Sequence, residues 1–292
     1  MAKKISLRSI VAAVLVLAAC AGIGYLVYKF LPIHKTKTLT IIHVNDTHSH
    51  FEPVRQDDGS MWGGVIERAA FIDSVRKADG ADNVLLLHAG DFSQGSSYFT
   101  ELNGDLEIEV INAMGYDALS LGNHEFDNGL EDLARRLANC NSPVVCADYD
   151  FSTFEAGKYI KPYVIVEKAG LKIGIIGLLP DLSSVVDRDV VDRMPYLDPV
   201  EQGNKWAAYL KEQEACDLVI SLNHIGYDEG NPVLDPEYVS KTRNIDLVVG
   251  GHSHTFMEDF DYVKNLDGIE TPIIQDGCWG LYVGTIKVQK AK

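Results

Sequence analysis

Asp46, His48, Asp91, Asn123, His224, His252 and His254 stand apart from the rest of the sequence by type and by surroundings. Carboxylate, imidazole and amide donors without thiolate suit Zn²⁺, Mn²⁺ or Fe rather than Ca²⁺ or an iron–sulfur cluster. Asp46 and His48 are two apart, as are His252 and His254, so in extended segments each pair points to one side. Glycines at 90, 122, 250 and 251 let the chain turn sharply beside these donors and approach an ion closely. Seven donors with one carboxylate shared make eight bonds, four for each of two cations. Asp91, on a short loop behind Gly90, is the natural bridge. The chemistry open to such a set is Lewis-acid polarisation and activation of water.

Positioning these donors falls to the elements that precede them. Leu39 to Val44 reads as a buried strand ending in Asn45-Asp46-Thr47-His48, and Val84 to Leu87 as a second ending in Ala89-Gly90-Asp91. Ala118 to Leu121 leads to Gly122-Asn123-His124-Glu125, Leu218 to Leu222 to Asn223-His224, and Asp246 to Val249 to Gly250-Gly251-His252-Ser253-His254. In open α/β sheets, ligands bind outside the carboxyl ends of the strands, so five parallel neighbours would bring all five segments to one crevice. Between them, the spacing predicts helices over 65–78, 106–114 and 130–137 and one begun by Asp198-Pro199, a helix cap followed by proline at the first turn. Ala169-Gly170 predicts a hairpin, and Glu258 to Val288 three further strands. With no internal repeat and no long linker, residues 38–292 read as one α/β domain.

The ordered set Asp46-x-His48, Gly90-Asp91, Gly122-Asn123-His124-Glu125, His224 and Gly251-His252-Ser253-His254 resembles that of calcineurin-like metallophosphoesterases. The longer runs Ile42 to His50 and Gly122 to Asp127 are similar to the bacterial 5′-nucleotidase and UDP-sugar hydrolase branch. The resemblance covers about residues 38 to 290. It implies a layered α/β/β/α sandwich and two divalent metal ions. Asp46, His48, Asp91 and His254 would hold one metal, and Asp91, Asn123, His224 and His252 the other. His254 stands where this branch often carries Gln or Asn. Asn123 and His124 would also touch substrate. His124, not a ligand, would contact the phosphoryl or leaving-group oxygens, with Asp127 holding its ring. The implied reaction is hydrolysis of a phosphoester by metal-bound hydroxide.

A formal net charge of −16 argues against nucleic acid as a partner, since phosphate backbones are met by basic surfaces. Two divalent ions answer the same problem for a small anionic substrate: they bring +4, and Asp46 with Asp91 return −2. His43 lies on the opposite strand face from the ligands and reads as a core or supporting group. His50 shares their parity and reads as a decoy or a supporting group. His88 reads as buried structure, and Trp206 with Tyr209 as packing. Cys140 and Cys146 are the pair to consider if any disulfide forms; otherwise the cysteines are small buried hydrophobes.

Residues 1–37 differ from the remainder. Lys3, Lys4 and Arg8 precede an uncharged run from Ile10 to Tyr28, which as a helix spans roughly 28 Å, about a bilayer's hydrocarbon thickness. Leu17-Ala18-Ala19-Cys20 resembles a bacterial lipobox, while the continuation of the run to Tyr28 suits an uncleaved signal anchor. Both place the catalytic domain in the cell envelope, outside the cytoplasm. Relatives of this branch usually carry a C-terminal domain that binds the nucleobase. The sequence stops four residues after Val288, so the expectation is that a separate protein supplies that domain or that the enzyme accepts a range of phosphoesters. The leading reading is hydrolysis of nucleotides. The alternatives are a cyclic-nucleotide phosphodiesterase or broad phosphatase on the same site, and a surface binding protein that kept the fold alone.

Overall fold

Leu39 and Ile41 point to one side of the first strand and Ile42 and Val44 to the other, and all four are fully buried. A strand buried on both faces needs a layer above and a layer below. In a computed structural model, which describes residues 38–228 and 232–289, those layers are a second sheet and a set of helices. The first sheet contains β1 (Thr38–Val44), β4 (Val84–Ala89), β5 (Ala118–Ser120), β6 (Val144–Val145), β7 (Ile160–Lys161) and β14 (Gly284–Gln289), and β2 (Val54–Arg55) pairs with β3 (Met61–Trp62) outside it. Its order is β14–β1–β4–β5–β6–β7, parallel throughout except for the edge strand β14. The second contains β8 (Tyr163–Lys168), β9 (Leu171–Leu178), β10 (Leu218–Asn223), β11 (Leu247–Val249), β12 (Asp261–Lys264) and β13 (Glu270–Ile274), in the order β12–β13–β11–β10–β9–β8.

Alternation along the strands assigns every apolar side chain to a layer. Leu39, Ile41, Leu85 and Leu87 meet Ile173, Ile175, Ile220, Leu222 and Val249 between the two sheets. The outer face of the first sheet, with Ile42, Val44, Leu86 and Leu119, packs on α1 (Val65–Asp79), α3 (Asp105–Met114) and α4 (Gly129–Leu137), the short α2 (Ser97–Leu102) lying between α1 and α3 in the chain. The outer face of the second, with Ile176, Val219 and Val248, packs on α6 (Pro199–Glu212) and α7 (Asp235–Ser240), downstream of the four-residue α5 (Arg188–Val191). The result is the α/β/β/α sandwich that the resemblance implies.

Three local expectations meet their structural outcomes here. Asp198 caps α6 by accepting the Glu201 N–H at 2.9 Å, with Pro199 at the first turn. Ala169 and Gly170, both at positive φ, close the β8–β9 hairpin. The five ligand-bearing strands, however, divide between the two sheets instead of forming one: β1, β4 and β5 in the first, β10 and β11 in the second. A strand apolar on both faces has the same sequence whether its far side meets helices or another sheet, so the apolar pattern by itself could not assign each strand to its sheet. The proposed membrane segment lies in residues 1–37, outside the described residues; among the described residues no helix is long and apolar enough to cross a membrane.

The Cys140–Cys146 pair is not formed. Both thiols are free, Cys140 Sγ donating to the Ser142 carbonyl at 3.6 Å and Cys146 Sγ to Asp148 Oδ1 at 3.4 Å. Asp148 is fully buried, takes the Leu179 N–H on both oxygens at 3.0 Å, and is pushed by burial up to a pKa of about 8. The folded chain therefore keeps a proton that the unfolded chain releases near pH 4. Stability from this group is complete below about pH 4 and is lost as pH rises through 8. Asp148→Asn keeps an acceptor for Leu179 and carries no charge. Its melting temperature relative to the parent is expected to improve by several degrees between pH 5 and pH 8. Parallel melting curves across that range would contradict the assignment.

Candidate metal centre

The loops after β1 and β4 run side by side. Asp46 N donates to the Gly90 carbonyl at 3.0 Å, His48 N to Asp91 O at 3.0 Å and Ser49 N to Phe92 O at 3.1 Å. This ladder sets Asp46, His48 and Asp91 against one another at the rim of the sandwich. Close approach demands the glycines: a Cβ on Gly90, at φ 89°, would lie 2.6 Å from the Leu121 carbonyl and 2.7 Å from His224 Nδ1, and one on Gly122 would collide with the Asp91 carboxylate.

Across the seam, β10 delivers His224 and the loop after β11 delivers His252 and His254. His224 Nδ1 donates to the Ala89 carbonyl at 2.6 Å, which turns Nε2 to within 3.0 Å of Asp91 Oδ2 and 3.7 Å of Asp46 Oδ1. His48 Nε2 lies 2.9 Å from His254 Nε2 and 3.8 Å from both Asp46 Oδ1 and Asp91 Oδ2. His254 Nε2 is 3.3 Å from Asp46 Oδ1, and His252 Nδ1 is 2.8 Å from Asn123 Oδ1. All seven candidates thus meet at one place. Two of the groups with donors inside metal-chelating reach are Asp46–His48–His254 and Asp91–His224–His252.

One local expectation fails. Asp46 and His48 do not share a side because the segment is extended: φ is 48° and 46°, and His252 and His254 likewise sit at 81° and 55°. With Asp91 at 52°, five of the seven donors adopt the left-handed region, where non-glycine residues carry strain of order 1–3 kcal/mol each. Tight left-handed turns, not strand pleating, aim these side chains.

The electrostatics are those of a cation site. Burial would lower the His224 pKa, yet the Asp91 and Asp46 carboxylates hold it up at about 10. His254 is raised to about 10 by its hydrogen bonds to Asp46 and Cys278. Burial and the charge on His224 push His252 down to about 4. Asp91 is lowered: burial opposes its charge, and His224, His48 and His124 together outweigh burial. His224 Nε2 is fully buried, with the Asp91 carboxylate 3.0 Å away. Two carboxylates, four imidazoles and an amide turned inward fit two divalent cations, which on binding displace the protons from His224 and His254.

His124 lies at the edge of this cluster, its backbone N–H donating to Asp91 Oδ1 at 2.9 Å and its Nδ1 paired with Asp127 Oδ2 at 2.9 Å. Burial lowers its pKa, but the Asp127 hydrogen bond and the Asp91 charge raise it overall. A cleft of about 530 Å³ opens here, lined by His48, Asp91, Asn123, His124, His252 and His254. His50 also lines it, bonded through Nδ1 to the His48 carbonyl and stacked on Trp279. His43 is buried against Asp276 at 2.6 Å and His88 against Thr47 at 3.0 Å, both outside the cluster. Trp206 and Tyr209 pack on Tyr163.

Sequence reasoning passed over Glu125. Fully buried, it accepts the Gly122 and Asp91 N–H groups on Oε2 at 2.6 and 2.9 Å and the Ser93 N–H on Oε1 at 3.0 Å. Its signal was present: a glutamate three residues after Gly122 has capping-box spacing. Gln275 fixes the third loop, donating to Gly251 O at 2.9 Å and accepting from Thr255 N at 2.6 Å, with no comparable signal. Glu125→Gln puts amide hydrogens against backbone donors, so it is expected to destabilise by about 1–3 kcal/mol and to lower metal content. Elemental analysis and thermal melting read both effects; parental values in both would remove the clamp.

Residues 39–256 match the calcineurin-like phosphoesterase family. The chain is 34% identical over 275 residues to a snake venom 5′-nucleotidase of Gloydius brevicauda, covering 86% of this chain and 45% of that one. It is 34% identical over 302 residues to a 5′-nucleotidase of Vibrio cholerae serotype O1, covering 95% and 53%. The crystal structure of a 5′-nucleotidase precursor from Thermus thermophilus superposes with a TM-score of 0.77 at 32% identity, covering 86% of this chain and 51% of that one. The chain spans about half the length of the relatives it matches. Family match, fold and the converging donor set agree: this chain belongs to the calcineurin-like phosphoesterase family, enzymes that use two divalent metal ions.

Proposed function

We propose that this domain hydrolyses nucleotide phosphoesters, in the manner of a 5′-nucleotidase or UDP-sugar diphosphatase, on the outer side of a membrane to which its N-terminal segment holds it. The observation that carries the reading is the meeting of seven nitrogen and oxygen donors from five strand ends, with His124 braced by Asp127 beside them. Asp46, His48, Asp91 and His254 would hold one cation, and Asp91, Asn123, His224 and His252 the other. When bound, the two ions supply a nucleophile at neutral pH and charge neutralisation for an in-line displacement. Asn123 and His124 orient the phosphoryl group in the cleft. Asp127 fixes the His124 ring through Nδ1 and stabilises its protonated form, so that Nε2 donates to the departing ester oxygen. The membrane placement rests on the uncharged run from Ile10 to Tyr28.

The test is a metal-reconstituted screen against nucleoside monophosphates, UDP-sugars, cyclic nucleotides and an aryl phosphate. Highest kcat/KM on nucleoside monophosphates or UDP-sugars supports the proposal. Preference for cyclic nucleotides, or equal turnover of every ester, replaces it with a phosphodiesterase or a broad phosphatase.

A further inference from the structure

Trp279 is placed at some cost. A bulky residue at φ 60° is an outlier. Its loop bends twice more through Gly277 and Gly280, at φ 68° and 63°. The conformation is secured by a backbone hydrogen bond from Trp279 N to the Asp46 carbonyl at 2.6 Å, tying the indole's position to a residue of the metal centre. The side chain nevertheless remains 40% exposed. Its ring stacks on His50, centroids 4.9 Å apart and planes 17° from parallel, and both rings line the cleft that contains His124 and His252. His50 is itself held, through Nδ1, to the carbonyl of His48. A strained loop that keeps a large aromatic surface at the mouth of a polar cleft is a feature to be explained by what the cleft receives.

The lining chemistry narrows the occupant. Among the described residues, no side chain that lines the cleft is lysine or arginine. The phosphoryl group to be cleaved is met by the metal centre, but a second phosphate farther out meets no cation among these residues. An uncharged, flat group attached to a single phosphate meets an aromatic pair it can extend. We propose that Trp279, backed by His50, is a stacking platform for the planar part of the leaving group, so that the preferred substrate is a phosphomonoester of a nucleoside. This rests on the phosphoesterase reading and adds specificity to it; the platform belongs to the catalytic domain itself.

The experiment compares kcat/KM for AMP and for ribose 5-phosphate, which share the ester and differ in the base, in the metal-loaded wild type, Trp279→Ala and Trp279→Phe. The AMP to ribose 5-phosphate ratio is expected to exceed one in the wild type and to fall about ten- to a hundredfold in Trp279→Ala, the size of a base–aromatic stack, through KM more than kcat. Trp279→Phe restores most of the ratio, which a merely structural role for the indole would not produce. A ratio unchanged by Trp279→Ala overturns the proposal while leaving the hydrolase reading intact. A second measurement needs no turnover: adenosine is titrated into the protein with ribose as control, following tryptophan fluorescence. Saturable quenching by adenosine alone, lost in Trp279→Phe, supports the platform; equal responses to both sugars, or quenching that survives in Trp279→Phe, defeat it. Absence of hydrolysis of either ester, with adenosine still quenching Trp279, would sink the phosphoesterase reading and spare the stacking site.

Discussion

Asp91→Asn is expected to take the metal content of the purified chain well below two per molecule and to bring turnover to background. Asp91 is the group on which both donor sets depend. Its Oδ2 lies 3.0 Å from His224 Nε2 and 3.8 Å from His48 Nε2, and its Oδ1 accepts the His124 N–H at 2.9 Å. Asparagine matches the volume but removes the charge that the two proposed cations would share and turns an NH₂ toward groups that require an acceptor. Loss of a group that merely supports metal ligands costs 10–100-fold in affinity, so loss of a bridging carboxylate should exceed that. Elemental analysis after reconstitution, beside circular dichroism to verify folding, gives the answer. Two metals per chain with undiminished activity would show that the bridge has been misassigned.

His124→Ala is expected to separate chemistry from metal binding. His124 touches the cluster through its backbone N–H, which alanine retains, while its ring, within reach of His48 and Asp91, is braced by Asp127. Metal content should stay near two, and kcat on a nucleotide should drop on the order of 10²–10⁴-fold, the usual contribution of a general acid. The loss should shrink for an aryl phosphate with an acidic leaving group, whose departing oxygen needs little help from a proton. Equal losses on both esters would assign His124 to binding the phosphoryl oxygens, and unaltered turnover would remove it from the reaction.

Much of the site could be read in the chain because its donors follow strands whose apolar runs are unmistakable, as with Val84 to Ala89 before Asp91. The ends of such strands are where ligands gather, whichever sheet contains them. The apolar pattern alone hid the division into two sheets, which only the motif resemblance implied, since Leu85 and Leu86 look alike whether their neighbours are helices or strands. The aim of Asp46 and His48 was reached for the wrong reason: side-chain alternation holds only in extended backbone, and both residues leave it. Glu125 and Gln275 escaped notice as supports because they act on backbone N–H and C=O groups of loops distant along the chain. His50 was set down as a decoy or a support, and its contact with Trp279 joins residues 229 positions apart, a separation no local pattern encodes.

The division of the donors between the sheets has a mechanical side. Asp46, His48, Asp91 and Asn123 ride on one half of the sandwich, and His224, His252 and His254 on the other. In the proposed coordination each ion is a rivet driven through both halves. Parting the halves at that rim would strip donors from both ions, so cation binding and the cohesion of the two sheets would be linked.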